Sequence, residues 1–276
     1  MSSGVVRDFS ICPRCKAPTQ VAKAISGADS EFWYECTQCN TYINTYIPQT
    51  HQEAFHRDPH RYRGNFGGYG TGKTTTSREE FYKHLFITPN GNTLIGANIT
   101  HQYEQTIKRD IEGDLPRDFI SNISVQKSFV DFKNGHRLTF RPLDDQGKLR
   151  SLNLTLCIIV EASEVNSEIY HQIKTRLRNM AATVPERDDQ DNILYNYTTK
   201  GVPIPRLKHD WRSCIIESNP DSGWIRTEVL GVSDDIQKHG DVVDQIYVPH
   251  TQRDEYTSSH ISATNVNQFL PPNFIA

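Results

Sequence analysis

The run Gly67-Gly68-Tyr69-Gly70-Thr71-Gly72-Lys73-Thr74 matches G-x-x-x-x-G-K-[ST] at every fixed position, and its residue types are those that phosphate binding requires. Residues without a Cβ let a tight loop turn its backbone N–H groups inward around a β-phosphate. A helix starting at the end of the loop adds the positive end of its dipole. Lys73 can then reach the β- and γ-phosphates of a nucleotide, and the Thr74 hydroxyl is placed to ligate Mg2+. A glycine-rich surface turn that matches by accident is the plain alternative. A second set of candidate ligands is Cys12-Pro13-Arg14-Cys15 with Cys36-Thr37-Gln38-Cys39. Paired C-x-x-C units close two knuckles whose thiolates meet a tetrahedral metal at about 2.3 Å, so Cys12, Cys15, Cys36 and Cys39 read as a Zn2+ site. Two disulfides or a redox C-x-x-C pair are the competing readings.

Carboxylates come next. The apolar strand Leu154 to Val160 runs into Glu161-Ala162-Ser163-Glu164. In a chain with a P-loop this reads as a Walker B strand, because parallel strands deliver their carboxyl-terminal residues to the phosphate site. The usual ending pairs an acid for magnesium with a glutamate that polarises the attacking water, and here Val160 stands at the first position. Two registers are open: Glu161 activates water and the magnesium acid is missing, or Glu161 serves magnesium with Glu164 behind it. A helix over Ser163 to Met180, with Val165, Ile169, Ile173 and Leu177 as its buried stripe, carries Glu164 away from the strand tip and favours the first. A further strand, Ser213 to Glu217, ends in Ser218-Asn219-Pro220, where Asn219 has both donor and acceptor to sense a γ-phosphate; a proline-terminated turn without a role is the alternative. Gln52 and Phe55 precede the loop at a distance that lets an amide read an adenine edge and an aromatic ring pack on the base. His51, His56 and His60 suggest a metal cluster, but Pro59 breaks the helix that would align them, and they read as solvated surface histidines.

The elements that must position these residues follow from periodicity. Arg61 to Phe66 reads as the strand entering the loop and Thr74 to Phe86 as the helix leaving it, with Phe81 and Leu85 on one face. Glu31 to Glu35 reads as a ribbon strand between the cysteine knuckles, and Thr41 to Pro59 as a polar connector. Thr93 to Ala97 is a buried strand. Thr100 to Glu112 reads as a helix capped by its threonine and closed by Gly113 and Pro116. Ile123 to Lys133 and His136 to Pro142 flank Asn134-Gly135, a strong hairpin signal; the hairpin carries Arg137 and Arg141.

Composition narrows the class. A chain of 276 residues with 36% hydrophobic and 23% charged residues predicts one core of about 200 residues with a small appendage. The longest apolar run, Leu156 to Val160, is a buried strand rather than a membrane span. Without an apolar leader the protein is expected in a reducing cytoplasm. The net charge of −3 gives no global pull toward nucleic acid, so any DNA contact must come from a local patch.

In order and spacing these segments resemble the ATPase domain of the terminase large subunit, the DNA-packaging motor of tailed bacteriophages, over residues 52 to 275. The resemblance puts Gln52 at the adenine-reading position and Gly67 to Thr74 at Walker A. It aligns Lys148-Leu149-Arg150-Ser151 with a basic segment before Walker B, Val160-Glu161-Ala162 with the acid-Glu-Ala ending, and Ser218-Asn219-Pro220 with the coupling motif. Thr175-Arg176-Leu177-Arg178 and Trp224 also sit where similar residues occur. Tyr69 stands where many terminases carry an arginine, and Val160 replaces the magnesium acid.

The fold implied is α/β, a P-loop NTPase with a mainly parallel sheet and helices on both faces, preceded by a small zinc ribbon. Residues 1–48 form the ribbon and 49–276 the ATPase domain. Asn265 to Ile275, with its Leu270-Pro271-Pro272 turn, resembles the stretch that precedes the family's nuclease domain, so the chain is expected to hydrolyse ATP without cutting DNA. In the implied mechanism Gly67 to Gly72 cradle the phosphates, Lys73 neutralises the γ-phosphate, Thr74 holds Mg2+, Glu161 orients water and Asn219 reports the γ-phosphate. Since Tyr69 cannot supply the remaining positive charge, Arg150 is expected to act as an arginine finger on a neighbour's ATP, with Arg137 and Arg141 next in line and a surface ion pair with Asp144 or Asp145 as the plain alternative for Arg150. Implied partners are viral double-stranded DNA, the portal protein of the procapsid and the small terminase subunit. The chain would work as a homo-oligomeric ring in the host cytoplasm, transiently on the procapsid and off any membrane, or as a monomer in isolation. Competing functions are a nucleotide-binding scaffold without turnover and a helicase-like DNA motor.

Overall fold

The computed structural model describes residues 9–197, 203–219, 223–230, 251–252 and 256–262. Pro220 and the stretch Asn265 to Ile275 lie outside the described residues.

The chain opens with strands β1 (Thr19–Lys23), β2 (Asp29–Cys36) and β3 (Tyr42–Asn44), paired in that order as an antiparallel sheet. Helix α1 (Thr50–Arg57) leads to β4 (Tyr62–Gly67), α2 (Lys73–Ile87) and β5 (Asn92–Ala97). The stretch expected to be a mere connector therefore contains both β3 and α1; Phe55 of α1, 1% exposed, gives this polar segment a buried anchor. Arg63 of β4 ties the pieces together, donating to the Phe55 carbonyl at 3.2 Å and to Glu80 of α2 at 2.6 Å. Although burial pushes the Glu80 carboxyl up, Arg63 and His56 hold it below the usual carboxylate range.

The next helical stretch comprises α3 (Thr100–Tyr103), a wider π turn (Glu104–Lys108) and α4 (Arg109–Asp114), kinked at Thr106 with φ −114° and ψ −106°. Ile99, not Thr100, takes the cap position, and its N–H donates to the Gln102 side chain at 3.2 Å. Strands β6 (Ile120–Ser124), β7 (Phe129–Phe132) and β8 (Arg137–Pro142) follow. The expected turn at Asn134-Gly135 joins β7 to β8, with Gly135 at φ +82°. The expected strand Ile123 to Lys133 is instead split between β6 and β7 by a reversal with Ser128 at φ +49°. Strand β9 (Leu156–Ile159) leads into a short turn before α5 (Ser167–Arg176). This helix is shorter at both ends than its periodicity suggested: the Asn166 side chain caps its start by accepting from the Glu168 N–H at 2.9 Å, and Leu177, at ψ 69°, leaves the helical conformation at its end. The pairs β10 (Thr183–Pro185) with β13 (Leu207–Asp210) and β11 (Tyr195–Tyr197) with β12 (Pro203–Pro205) form small excursions before β14 (Ser213–Ser218), β15 (Thr251–Gln252) and β16 (Thr257–Ser262).

Among the described residues nine strands make the central sheet, in the order β15-β16-β4-β14-β9-β5-β8-β7-β6. From β16 to β8 every pairing is parallel; β15, β7 and β6 add antiparallel edges. Side chains alternate between two apolar layers, as strand geometry dictates. Ile158, Val160 and Ile215 join Phe81, Tyr82 and Leu85 of α2 on one face, while Cys157, Ile159, Cys214 and Ile216 join Ile169, Tyr170 and Ile173 of α5 on the other. The sheet is thus mainly parallel and covered by helices on both faces, as the resemblance implied.

The amino-terminal sheet packs on this body rather than hanging from it. Trp33 sits edge-on to Tyr82 and Phe119, with ring centroids 5.9 and 5.7 Å away. The Ile25 and Ser26 N–H groups donate to the Leu115 and Glu112 carbonyls at 3.0 and 2.9 Å. Among the described residues no helix is long and apolar enough to cross a membrane.

Candidate functional site

The loop from Gly67 to Thr74 leaves the carboxyl end of β4, a strand flanked by β14 and β16. A Cβ on Gly67 would lie 2.6 Å from the Ser262 carbonyl oxygen and 2.7 Å from the Thr71 hydroxyl, so backbone packing requires glycine there. Gly70 and Gly72 adopt φ +74° and +82°, the left-handed region that turns a loop back on itself. Lys73 Nζ donates to the carbonyls of Gly67 at 2.8 Å and Gly68 at 3.0 Å, spanning the mouth of the loop. Burial lowers its pKa, while Glu217 and Glu161 pull it back up. Thr71 is buried and donates to the Gly68 carbonyl at 3.1 Å. Tyr69 is 77% exposed at the tip. Asn65 of β4 donates to the Lys73 carbonyl at 3.0 Å and fixes the first turn of α2 to the strand, a brace no sequence pattern announced.

Gln52 does reach this loop. Its Nε2 donates to the Gly72 carbonyl at 3.3 Å and its Oε1 accepts from the Gln49 N–H at 2.9 Å. Phe55, by contrast, is buried below the Arg63 guanidinium, 4.8 Å from its ring centroid, and beside the His260 ring. It is a core residue and does not serve a base. The three histidines are half-buried and each has a partner, rather than being freely solvated. His51 is within 3.0 Å of the Thr71 carbonyl oxygen, His56 bonds Glu80 at 2.7 Å and Tyr46 at 2.9 Å, and His60 contacts Asp58.

At the tip of β9, Val160 is 2% exposed, in the layer that faces α2. Glu161 follows at φ +49° and ψ 54°, a left-handed backbone that a non-glycine residue adopts at a cost of about 1–3 kcal/mol. Glu164 is turned away and accepts from Gln102 Nε2 at 2.7 Å. The acid in contact with the loop comes from the neighbouring strand: Thr74 Oγ1 donates to Glu217 Oε1 at 2.7 Å. Glu217 is 1% exposed, and its Oε2 has no hydrogen-bond partner among the described residues. Burial raises its pKa, against the Thr74 and Ser77 hydroxyls and the Lys73 charge. Sequence reasoning passed over Glu217. The available signal was an acid inside the strand Ser213 to Ser218, all of whose residues are buried.

Beyond it, the Ser218 hydroxyl accepts from the Ser163 N–H at 3.1 Å, linking the tips of β14 and β9. Asn219 is half-buried with its Oδ1 buried and unpartnered among the described residues. Arg150 is exposed on the loop after β8, and among the described residues its guanidinium makes no hydrogen bond or ion pair; Asp144 instead takes Lys148 at 2.7 Å. Arg141 donates to the Lys148 carbonyl at 2.6 Å, and Arg137 pairs with Asp131 at 2.6 Å. Trp224 donates to the Val165 carbonyl at 2.7 Å and stacks on Tyr170.

The sulfurs of Cys12, Cys15, Cys36 and Cys39 all lie within 4.8 Å of one another, and all four residues are free cysteines. Closest are Cys15 and Cys36 at 3.4 Å, far beyond a disulfide bond. The Cys39 and Gln38 N–H groups point at the Cys36 sulfur from 3.4 and 3.5 Å, and the Cys39 N–H leads in lowering its pKa. The Thr41 hydroxyl, 3.1 Å from the Cys39 sulfur, lowers that thiol to about 6. Although the Ala17 backbone works against it, neighbouring thiols push Cys15 up to about 12, so the site's case rests on geometry: four sulfurs grouped this closely could hold one metal ion.

Comparison with known proteins bears on this arrangement. The family model described as phage terminase large subunit matches residues 59–276. Among solved structures, the large terminase from a thermophilic bacteriophage superposes with a TM-score of 0.53 at 10% identity, covering 83% of this chain and 48% of that one. The same protein in complex with ADP gives 0.53 at 11% identity, covering 82% and 48%. In complex with ATP-gamma-S it gives 0.51 at 11% identity, covering 82% and 47%. At these identities the likeness is one of fold, and this chain spans about half the length of the structures it matches. No curated protein matches the chain.

Proposed function

The chain belongs to the phage terminase large subunit family, and from that membership we propose that it hydrolyses ATP to drive viral double-stranded DNA into a procapsid. The observation that carries this reading is a convergence on one loop: Lys73 spans its mouth, bonded to the Gly67 and Gly68 carbonyls, and Thr74 at its end donates to the buried Glu217 at 2.7 Å. In the division that goes with it, residues 1–48 are a zinc ribbon and 49–276 the ATPase domain.

The donor sets fit the metals this function needs. A hydroxyl whose proton is committed to a carboxylate keeps its lone pairs for a cation, and hard oxygens suit Mg2+. Four clustered thiolates suit Zn2+. When bound with ATP, Mg2+ neutralises charge that develops on the β- and γ-phosphate oxygens.

The protein's own groups do the rest. Backbone N–H groups from Gly67 through Gly72, with Tyr69 at the open tip, cradle the phosphates, and Lys73 leaves the loop carbonyls to neutralise the γ-phosphate. Thr74 would hold Mg2+ through its oxygen. Glu161 orients the attacking water and accepts its proton. Asn219 reads the γ-phosphate, and the Ser218 bond to Ser163 ties its strand tip to that of Glu161. Gln52, tethered to Gly72, would read the adenine edge, its amide exchanging that contact for the base. Arg150 completes a neighbouring subunit's site in a ring mounted on the portal, with the small terminase subunit delivering DNA in the host cytoplasm.

Val160 gives weight to a second reading, a scaffold that binds nucleotide without turnover. Turnover of ATP by purified protein over a wide concentration range separates the two. Motor function predicts Mg2+-dependent activity that rises more steeply than protein concentration and is lost in Lys73→Ala. Nucleotide binding with no turnover at any concentration would establish the scaffold.

A further inference from the structure

We propose that Glu217 supplies the magnesium-site carboxylate that Val160 cannot, so that the acid of this site has moved from the tip of β9 to the adjacent strand β14. The inference rests on the nucleotide-site reading above and concerns which strand delivers the acid.

Register carries the argument. Strand β14 pairs in parallel with β9 through Ile216↔Ile159, so the next residues, Glu217 and Val160, stand level on neighbouring strands. On its other side β14 pairs with β4, with Glu217 opposite Asn65. Side chains alternate, and Ile215 shares the α2-facing layer with Ile158 and Val160. Glu217 therefore points to the same face as Val160, from a strand one step nearer the P-loop, and the contact with Thr74 at 2.7 Å follows. An apolar Val160, 2% exposed, leaves that height of β9 without an oxygen ligand. Glu217 holds the Thr74 hydroxyl with one oxygen, and its second oxygen is buried and unpartnered among the described residues. The Ser77 hydroxyl lies near this carboxylate but outside hydrogen-bond distance of the second oxygen; a buried carboxylate oxygen left so is costly to keep, and a magnesium ion or one of its waters is the partner whose chemistry fits. The other two acids are placed for different work: Glu161 leaves the line of its strand on a left-handed backbone, and Glu164 is bound to Gln102.

The test reads nucleotide affinity rather than turnover: fluorescent ADP is titrated into the protein in EDTA and in Mg2+, and the ratio of the two affinities is the Mg2+ effect. Glu217→Gln should bind in EDTA within a few-fold of wild type while its Mg2+ effect falls by ~10- to 100-fold. Adding Val160→Asp to that variant should restore most of the effect by returning an acid to the same height. Val160→Asp alone should change the effect by less than about threefold, because the position is already served. This single variant decides the question even if Glu217→Gln does not fold. A wild-type Mg2+ effect in Glu217→Gln, or a tenfold gain in Val160→Asp alone, overturns the assignment. Wild-type protein that binds no nucleotide in either condition overturns the nucleotide-site reading itself, and the assignment with it.

Discussion

Glu161 sits where the backbone is least comfortable. Its φ of +49° is one that side chains avoid, yet the strand-to-turn change at the end of β9 imposes it, and the chain leaves the line of the strand at this residue. A group there for its proton affinity differs in behaviour from one there to hold metal. Glu161→Gln is expected to keep Mg·ATP affinity within a few-fold while turnover drops by at least ~10². Affinity that collapses with turnover would make Glu161 the metal ligand and return Glu164 to consideration as the base. Residue-scale chemistry was legible where backbone conformation dictates residue type: Gly70 and Gly72 need positive φ, and Lys73 and Thr74 follow at fixed spacing. It was illegible at Glu217, whose role depends on β14 lying between β4 and β9, an adjacency that no local pattern encodes.

Among the elements, the amino-terminal sheet depends most on something other than its own core. Its apolar residues Ala22 and Trp33 belong to the same cluster as Tyr82 and Phe132 of the body, and its far end is held by four sulfurs. Losing a metal there should free the knuckles first and leave the Trp33 end docked. About one zinc per chain is expected to co-purify, and chelation should remove hydrogen-exchange protection chiefly from residues before Thr50 while β4, β9 and β14 keep theirs. Zinc-free protein with Cys12 and Cys15 in a disulfide would refute the site. The elements read correctly from sequence were those with strong local signals: apolar runs for β5 and β9, and Asn134-Gly135 for the β7–β8 turn. Helix α1 and strand β3 escaped notice because their order comes from distant partners, Arg63 and Glu80 for α1 and the cross-strand pairing of Tyr42 with Glu35 for β3.

At the scale of the whole molecule, the proposed motor needs a source of positive charge for the γ-phosphate. Arg150 leaves the loop after β8, and β8 is separated from β4 by β5, β9 and β14. The Arg150 guanidinium is exposed and unpaired among the described residues, and in the proposed ring it would serve a neighbouring subunit's P-loop, where an arginine finger contributes ~10³ to 10⁵ in rate. Arg137 and Arg141 are already committed to Asp131 and the Lys148 carbonyl. Mixing two inactive variants tests the arrangement. Arg150→Ala retains a sound P-loop and Lys73→Ala a sound finger, so some mixed interfaces bring the two intact halves together and ATPase activity should partly return. Because only one orientation of each mixed interface is productive, recovery should pass through a maximum as the ratio of the variants is varied. Normal turnover by Arg150→Ala alone would remove the residue from the mechanism, and a mixture that stays inactive at every ratio would confine Arg150 to its own subunit.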